Sequence, residues 1–195
     1  VFLRHVIGGK GLSRGREFAR LVRAATPDAV LSGVEVLADV LGDVIVVDVG
    51  GATTDVYSAL VPQGEDAELH RDVVGHLWQE RTVEADLGMR WYAPGVVEAA
   101  ARERIPVPDG LREYALAAAA DPGHLPQGPG EVALDLALAR IAAVVAARRH
   151  GRPATPSESP RPLADVGLVI GSGGVLRHNE RDSALEVVRA VTTDH

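Results

Sequence analysis

The densest group of chemically capable residues in this chain is Asp48-Val49-Gly50-Gly51-Ala52-Thr53-Thr54-Asp55, at the end of an apolar run. A glycine pair there permits positive φ and lets an anion approach the backbone amides with no Cβ in the way. Thr53 and Thr54 add hydroxyl donors. Asp48, at the last buried turn of the run, is placed to hold a hydrated magnesium ion facing phosphates. An ordinary hairpin also uses a glycine pair, but it has no use for an acid before the pair and hydroxyls after it. A second apolar run ends in Ile170-Gly171-Ser172-Gly173-Gly174. Alone this is an even choice between a turn and a site. Two such turns, separated by a helical segment, point to a nucleotide held at strand ends, where the ligands of open α/β sheets collect.

The elements that must position these turns are legible in outline. Asp43–Val49 (DVIVVDV) is continuously apolar, as a central strand buried on both faces would be. Asp55–Val61 reads as its hairpin partner and Leu69–Leu77 as a third strand, together a meander. Upstream, Ser13 caps an amphipathic helix over Arg14–Ala25 with Phe18, Leu21 and Val22 on one face. Thr26-Pro27 stops that helix, Ala29–Leu31 is a short strand, and Gly33–Leu41 is a second helix ended by Gly42. From Val83 to Ala147 the chain reads as mostly helical, with helices at Val96–Arg104, Leu111–Ala120 and Val132–Arg149. Gly151–Pro162 contains four prolines and reads as a surface loop. Asp165–Ile170 is another buried strand, and Ser183–Val191 a final helix. The expected class is α/β.

Composition excludes several functions. The net charge of −7 leaves no basic stripe for nucleic acid. With no cysteine there are no disulfides, no thiol nucleophile and no cysteine-bound zinc, which fits a reducing cytoplasm. No apolar run approaches the roughly 20 residues that span a bilayer. The chain starts at Val1 without an initiator methionine, so a fragment is expected.

These residues resemble a known superfamily. Asp48–Asp55 is similar to the second phosphate motif of the ASKHA ATPases (actin, heat-shock chaperones and sugar kinases), and Val169–Gly174 to their adenosine motif. Val1–Leu12, Thr26–Leu31, Val46–Ser58, Arg81–Arg90 (RTVEADLGMR) and Leu168–His178 together resemble the MutL-type protein of glutamate mutase, across nearly the whole chain. The resemblance implies a ribonuclease H-like (actin-like ATPase) lobe. Residues 1–42 would end a first lobe and 43–195 form a second, with a helical insertion at about 83–150 and a proline-rich loop at 151–162. It implies ATP and Mg2+ as cofactors, cobalamin-dependent mutase subunits as partners, a possible homo-oligomer, and an accessory or reactivating role. By this resemblance Asp48 organises magnesium and the attacking water, and Gly50, Gly51, Thr53 and Thr54 bind phosphates. Gly171, Ser172, Gly173 and Gly174 pack against adenosine. Asp86-Leu87-Gly88 begins a helix beside the nucleotide, with Glu84 or Asp86 near the ribose or metal. The superfamily's first phosphate motif, an Asp-x-Gly-Ser/Thr-Thr loop, is not found in the sequence. A chain without the N-terminal lobe, and without hydrolysis on its own, is therefore expected.

Other groups have more ordinary uses. Asp55 is expected to bond turn amides. Glu84 and Asp86 either cap a helix or serve the site. His70 and His76 lie too far apart for one ion, and Trp78, Trp91 and Tyr92 are expected under the helical insertion. No Ser-His-Asp signature emerges. A small-molecule kinase of the same superfamily and a non-hydrolysing nucleotide-dependent interaction module are the alternatives.

Overall fold

A computed structural model describes residues 26–60, 78–153 and 163–194. The chain enters through helix α1 (Thr26–Leu41), then strands β1 (Val44–Val49), β2 (Thr54–Leu60) and β3 (Trp78–Glu84). Helices α2 (Ala93–Arg102), α3 (Leu111–Ala120) and α4 (Gly128–Gly151) follow. A single 3-10 turn at Leu163–Asp165 leads to β4 (Leu168–Ser172), the short α5 (Gly174–His178) and α6 (Arg181–Thr193). The sheet order is β3-β2-β1-β4. β1 pairs antiparallel with β2 and parallel with β4, so the sheet is mixed and the class is α/β.

Strand alternation sends two different sets of side chains to the two faces. Ile45, Val47, Val49, Val56 and Leu60 join the larger core, which includes Val96 and Val97 of α2, Leu111 of α3, Ile141 of α4 and Val187 of α6. Val44, Val46, Tyr57 and Ala59 pack instead with Val34 and Ala38 of α1. The continuous apolar run of β1 is thus explained by helices on both sides. Burying a Val, Leu or Ile contributes about 1.5–3 kcal/mol, and Val44, Ile45 and Val47 are all at or near complete burial. A one-residue slip would turn this whole set over, so the register that places Asp48 is firmly set.

Several expectations need correction. Ala29–Leu31 is helical, part of one continuous α1 that starts at Thr26. Pro27 lies in the first described turn of this helix, where proline is tolerated, and the helix it is expected to stop falls outside the described residues. Gly42 does terminate it, at φ +84, with its N–H bonded to Ala38 O at 2.9 Å. The third strand runs over Trp78–Glu84, so Val83 and Glu84 are extended rather than helical as expected. The expected strand at Leu69–Leu77 falls outside the described residues, as do the Ser13-capped helix, His70, His76 and most of the proline-rich loop. Helix α2 starts at Ala93 and ends at Arg102, earlier at both ends than expected, while α3 matches Leu111–Ala120. Helix α4 is buried continuously from Ile141 to Ala147, not along one stripe. Its alanines let the sheet and the neighbouring helices approach from several sides. The short α5 had no counterpart in the sequence reading.

Candidate functional site

Both glycine turns emerge at the same end of the sheet, because β1 and β4 are parallel neighbours with Asp48 in register with Ser172. Gly173 has φ +114 and ψ 160, a conformation essentially restricted to glycine. A Cβ there would overlap the carbonyl oxygen of Val49. The second turn therefore lies directly against the root of the first.

The first turn is a two-residue hairpin loop, Gly51-Ala52, flanked by a Gly50 N–H to Thr53 O bond of 2.9 Å. Its carbonyls are taken by the segment after β3. Met89 N–H donates to Gly50 O (3.0 Å), and Arg90 and Trp91 N–H donate to Gly51 O (2.8 and 3.0 Å). In a planar trans peptide the C=O and the following N–H point in opposite directions. The N–H groups of Gly51 and Ala52 thus face away from segment 89–91, and no hydrogen bond occupies them among the described residues. Both residues are exposed. Gly88 lies so close to Ala52 that a Cβ would overlap its backbone.

The hydroxyls divide. Thr53 sits in the turn, partly exposed. Thr54 is fully buried and donates to Leu87 O at 2.8 Å, so its proton is committed to holding the turn. Asp48 and Asp55 are directly opposite each other across β1 and β2, on the α1 side of the sheet. Asp48 is partly exposed, and its side chain makes no hydrogen bond or ion pair among the described residues. Asp55 does not bond turn amides. It accepts from Tyr57 Oη (3.2 Å) and lies 3.5 Å from Arg81, leaving Oδ1 buried without a partner. Like charges in direct cross-strand register repel, and Arg81 offsets part of that cost while lying over the Tyr57 ring. Burial, then the Asp55 carboxylate, raises the Tyr57 phenol above its ordinary pKa.

On the far side of β4 a groove of about 860 Å³ is lined by Gly171, Ser172, Gly173 and Gly174 together with Arg177 and Arg181, among others. Asp48, Gly50, Gly51 and Thr53 do not line it. At Gly171 the space a Cβ would need is filled by Val188 and Leu176, so this glycine serves helix packing as well as the groove. At Gly174 the corresponding space is open.

Glu84 and Asp86 lie apart from this cluster. Arg149 of α4 donates to Glu84 and to both oxygens of Asp86 (2.7 and 3.0 Å), and Arg102 also reaches Asp86. The hydrogen bond from Arg149 holds the Asp86 carboxyl below the usual range. Glu84 shares its face with Thr82 and α4, opposite to the face of Asp48. Neither acid caps α2, whose N-terminus has no side-chain cap. Trp91 and Tyr92 are 65 % and 56 % exposed rather than covered, because their segment runs across the hairpin and not beneath the helices.

The sequence reading missed two side-chain clusters. His150 is fully buried, with Nε2 2.7 Å from Ser58 Oγ and Nδ1 3.0 Å from Thr82 Oγ1. Asp135, 2 % exposed, receives both Arg90 (2.8 and 3.3 Å) and Tyr114 Oη (2.8 Å). An aspartate at an apolar-face position of α4 was the available signal for the second. The first had none. Among the described residues no group of three or more His, Asp and Glu side chains could hold a metal, and no helix is long and apolar enough to cross a membrane.

Comparison with known proteins gives a family for this arrangement. The model of the MutL protein family matches residues 1–195. The chain belongs to the MutL protein family. It is 32% identical over 216 residues to Protein MutL of Clostridium tetanomorphum, an alignment covering 100% of this chain and 46% of that protein. This MutL family member thus spans about half the length of that curated relative. No solved structure matches it significantly.

Proposed function

We propose that this chain forms the nucleotide-clamping lobe, with an actin-like ATPase fold, of an ATP-binding accessory protein for a cobalamin-dependent mutase such as glutamate mutase. The supporting observation is the contact of Gly173 with Val49, which brings two separate glycine turns to one end of the sheet beside two amides unpaired among the described residues. Gly51 and Ala52 N–H bind phosphate oxygens, as outward amides of a glycine turn do, and the Thr53 hydroxyl adds a donor. Gly173 and Gly174 border the groove that takes the nucleoside. Thr54 and Gly88 hold the turn in place rather than touching the ligand. Glu84 and Asp86 anchor the end of β3 to α4.

Magnesium fits the donors present. Asp48 is a partly exposed hard carboxylate, and Mg2+ commonly takes one or two carboxylates, keeping waters and phosphate oxygens for its other positions. When bound it would neutralise phosphate charge. Asp48 orients a water toward the phosphates, and Arg81 lies 3.5 Å from Asp55. Coupling of nucleotide state to the partner belongs to the whole protein, of which the matched relative has about twice this length.

Calorimetry with Mg-ATP on the full-length protein tests this reading. Wild type binds, and Asp48→Ala weakens binding at least tenfold. Equal affinities remove the role given to Asp48, and no binding by wild type overturns the nucleotide reading itself. ATP turnover with and without mutase subunits, against a panel of small hydroxyl acceptors, distinguishes an accessory ATPase from a kinase.

A further inference from the structure

We propose that Arg90 is the positioning residue of the phosphate turn and that Asp135 and Tyr114 set Arg90, so that the helical layer controls where the turn's amides point. This rests on the reading of Gly50–Ala52 as a phosphate turn.

Arg90 meets the turn with its backbone and the helices with its side chain. Its N–H donates to Gly51 O at 2.8 Å, and its Cβ and Cγ lie 3.6–3.7 Å from the point a Gly51 Cβ would occupy. Its guanidinium grips both oxygens of Asp135 on α4 and also donates to Met89 O at 3.0 Å. Tyr114 on α3 donates to the same carboxylate. Bidentate arginine–carboxylate pairs are directional as well as strong, so they fix a backbone better than a point charge does. Here the pair is well shielded: the side chains are 15% and 3% exposed. Because Gly50 O and Gly51 O are held by residues 89–91, any rotation of that segment rotates the two peptide planes and re-aims the Gly51 and Ala52 N–H groups. A shift of α4 relative to the sheet therefore reaches the phosphate donors through one side chain. Trp91, one residue on and 65% exposed, reports that movement.

The experiment measures Mg-ATP affinity and melting temperature of the full-length protein for wild type, Arg90→Ala, Arg90→Lys and Tyr114→Phe. Val97→Ala, a buried change on α2 outside the Arg90–Asp135–Tyr114 group, serves as the stability control. Trp91 emission is read as the difference between the protein and its Trp91→Phe variant. Arg90→Ala is expected to weaken binding about tenfold and abolish the nucleotide-induced change in Trp91 emission, with Arg90→Lys restoring part of both. Tyr114→Phe, which leaves the ion pair intact, covers the case in which Arg90→Ala does not fold, and it should weaken binding about threefold. Val97→Ala should lower the melting temperature with affinity and emission change retained. If wild type binds no Mg-ATP, the phosphate-turn reading fails and this inference with it. If wild type binds and the Arg90 and Tyr114 variants bind no worse than Val97→Ala, the inference alone is overturned.

Discussion

Gly173 and Val49 lie so close that a single added methyl group at Gly173 would overlap the Val49 carbonyl oxygen. Val49 precedes the Gly50-Gly51 turn and Gly173 follows β4, so this contact joins two segments more than a hundred residues apart at one end of the sheet. The two strands can be parallel neighbours only because helices α2 to α4 carry the chain back to the starting end of the sheet.

Gly173→Ala tests that contact. Holding a non-glycine residue in this backbone region costs about 1–3 kcal/mol, and the overlap with Val49 adds to it. Urea unfolding should show a loss of at least this size, together with weaker nucleotide binding. Gly174→Ala, whose Cβ would enter open space, should leave the unfolding free energy nearly unchanged.

Thr54 and Thr53 should separate stability from binding. Thr54→Val leaves the buried Leu87 carbonyl without its 2.8 Å partner, a loss of about 1–3 kcal/mol. Thr53→Val should leave stability nearly unchanged and weaken Mg-ATP. The reverse pattern in paired calorimetry and denaturation would reassign the two hydroxyls.

The Ser58–His150 pair has the spacing of a nucleophile and its base, yet both residues are fully buried. It ties α4 to β2, and Thr82 ties the same ring to β3. A serine-directed phosphonylating probe should therefore leave Ser58 unlabelled in the native protein. Ser58→Ala should cost about 1–3 kcal/mol by removing a hydrogen bond from a buried ring, with nucleotide affinity retained.

Asp86 gives a pH signature. Its carboxyl is depressed in the fold by hydrogen bonding to Arg149. A group lowered in the native state stabilises above its unfolded pKa of about 3.9 and loses that contribution as pH falls through the folded value. Unfolding free energy should thus decline below about pH 4, and Arg149→Gln should flatten the decline. Asp86 is 45% exposed, so solvent screening keeps the effect small. An unchanged slope in the variant would show that other carboxylates carry the acid sensitivity.

Local patterning made the two central strands, both glycine turns, the Gly42 stop and helices α2 to α4 legible in the sequence: continuous valines, glycine at a required backbone angle, apolar spacing along a helix. The sequence also held the family, since motif order survives in the linear chain. The face each acid takes follows from strand pairing instead. Asp48 and Glu84 look equivalent as acids beside a site, but strand alternation sends one toward α1 and the other to Arg149 on α4. Thr53 and Thr54 are adjacent and identical, yet one is in the turn and the other is in the core. Trp91 reads as a core residue until the hairpin carbonyls claim its backbone and leave the ring outside. These outcomes depend on pairings between residues distant in sequence, whose energies exist only once the sheet and the helices have met.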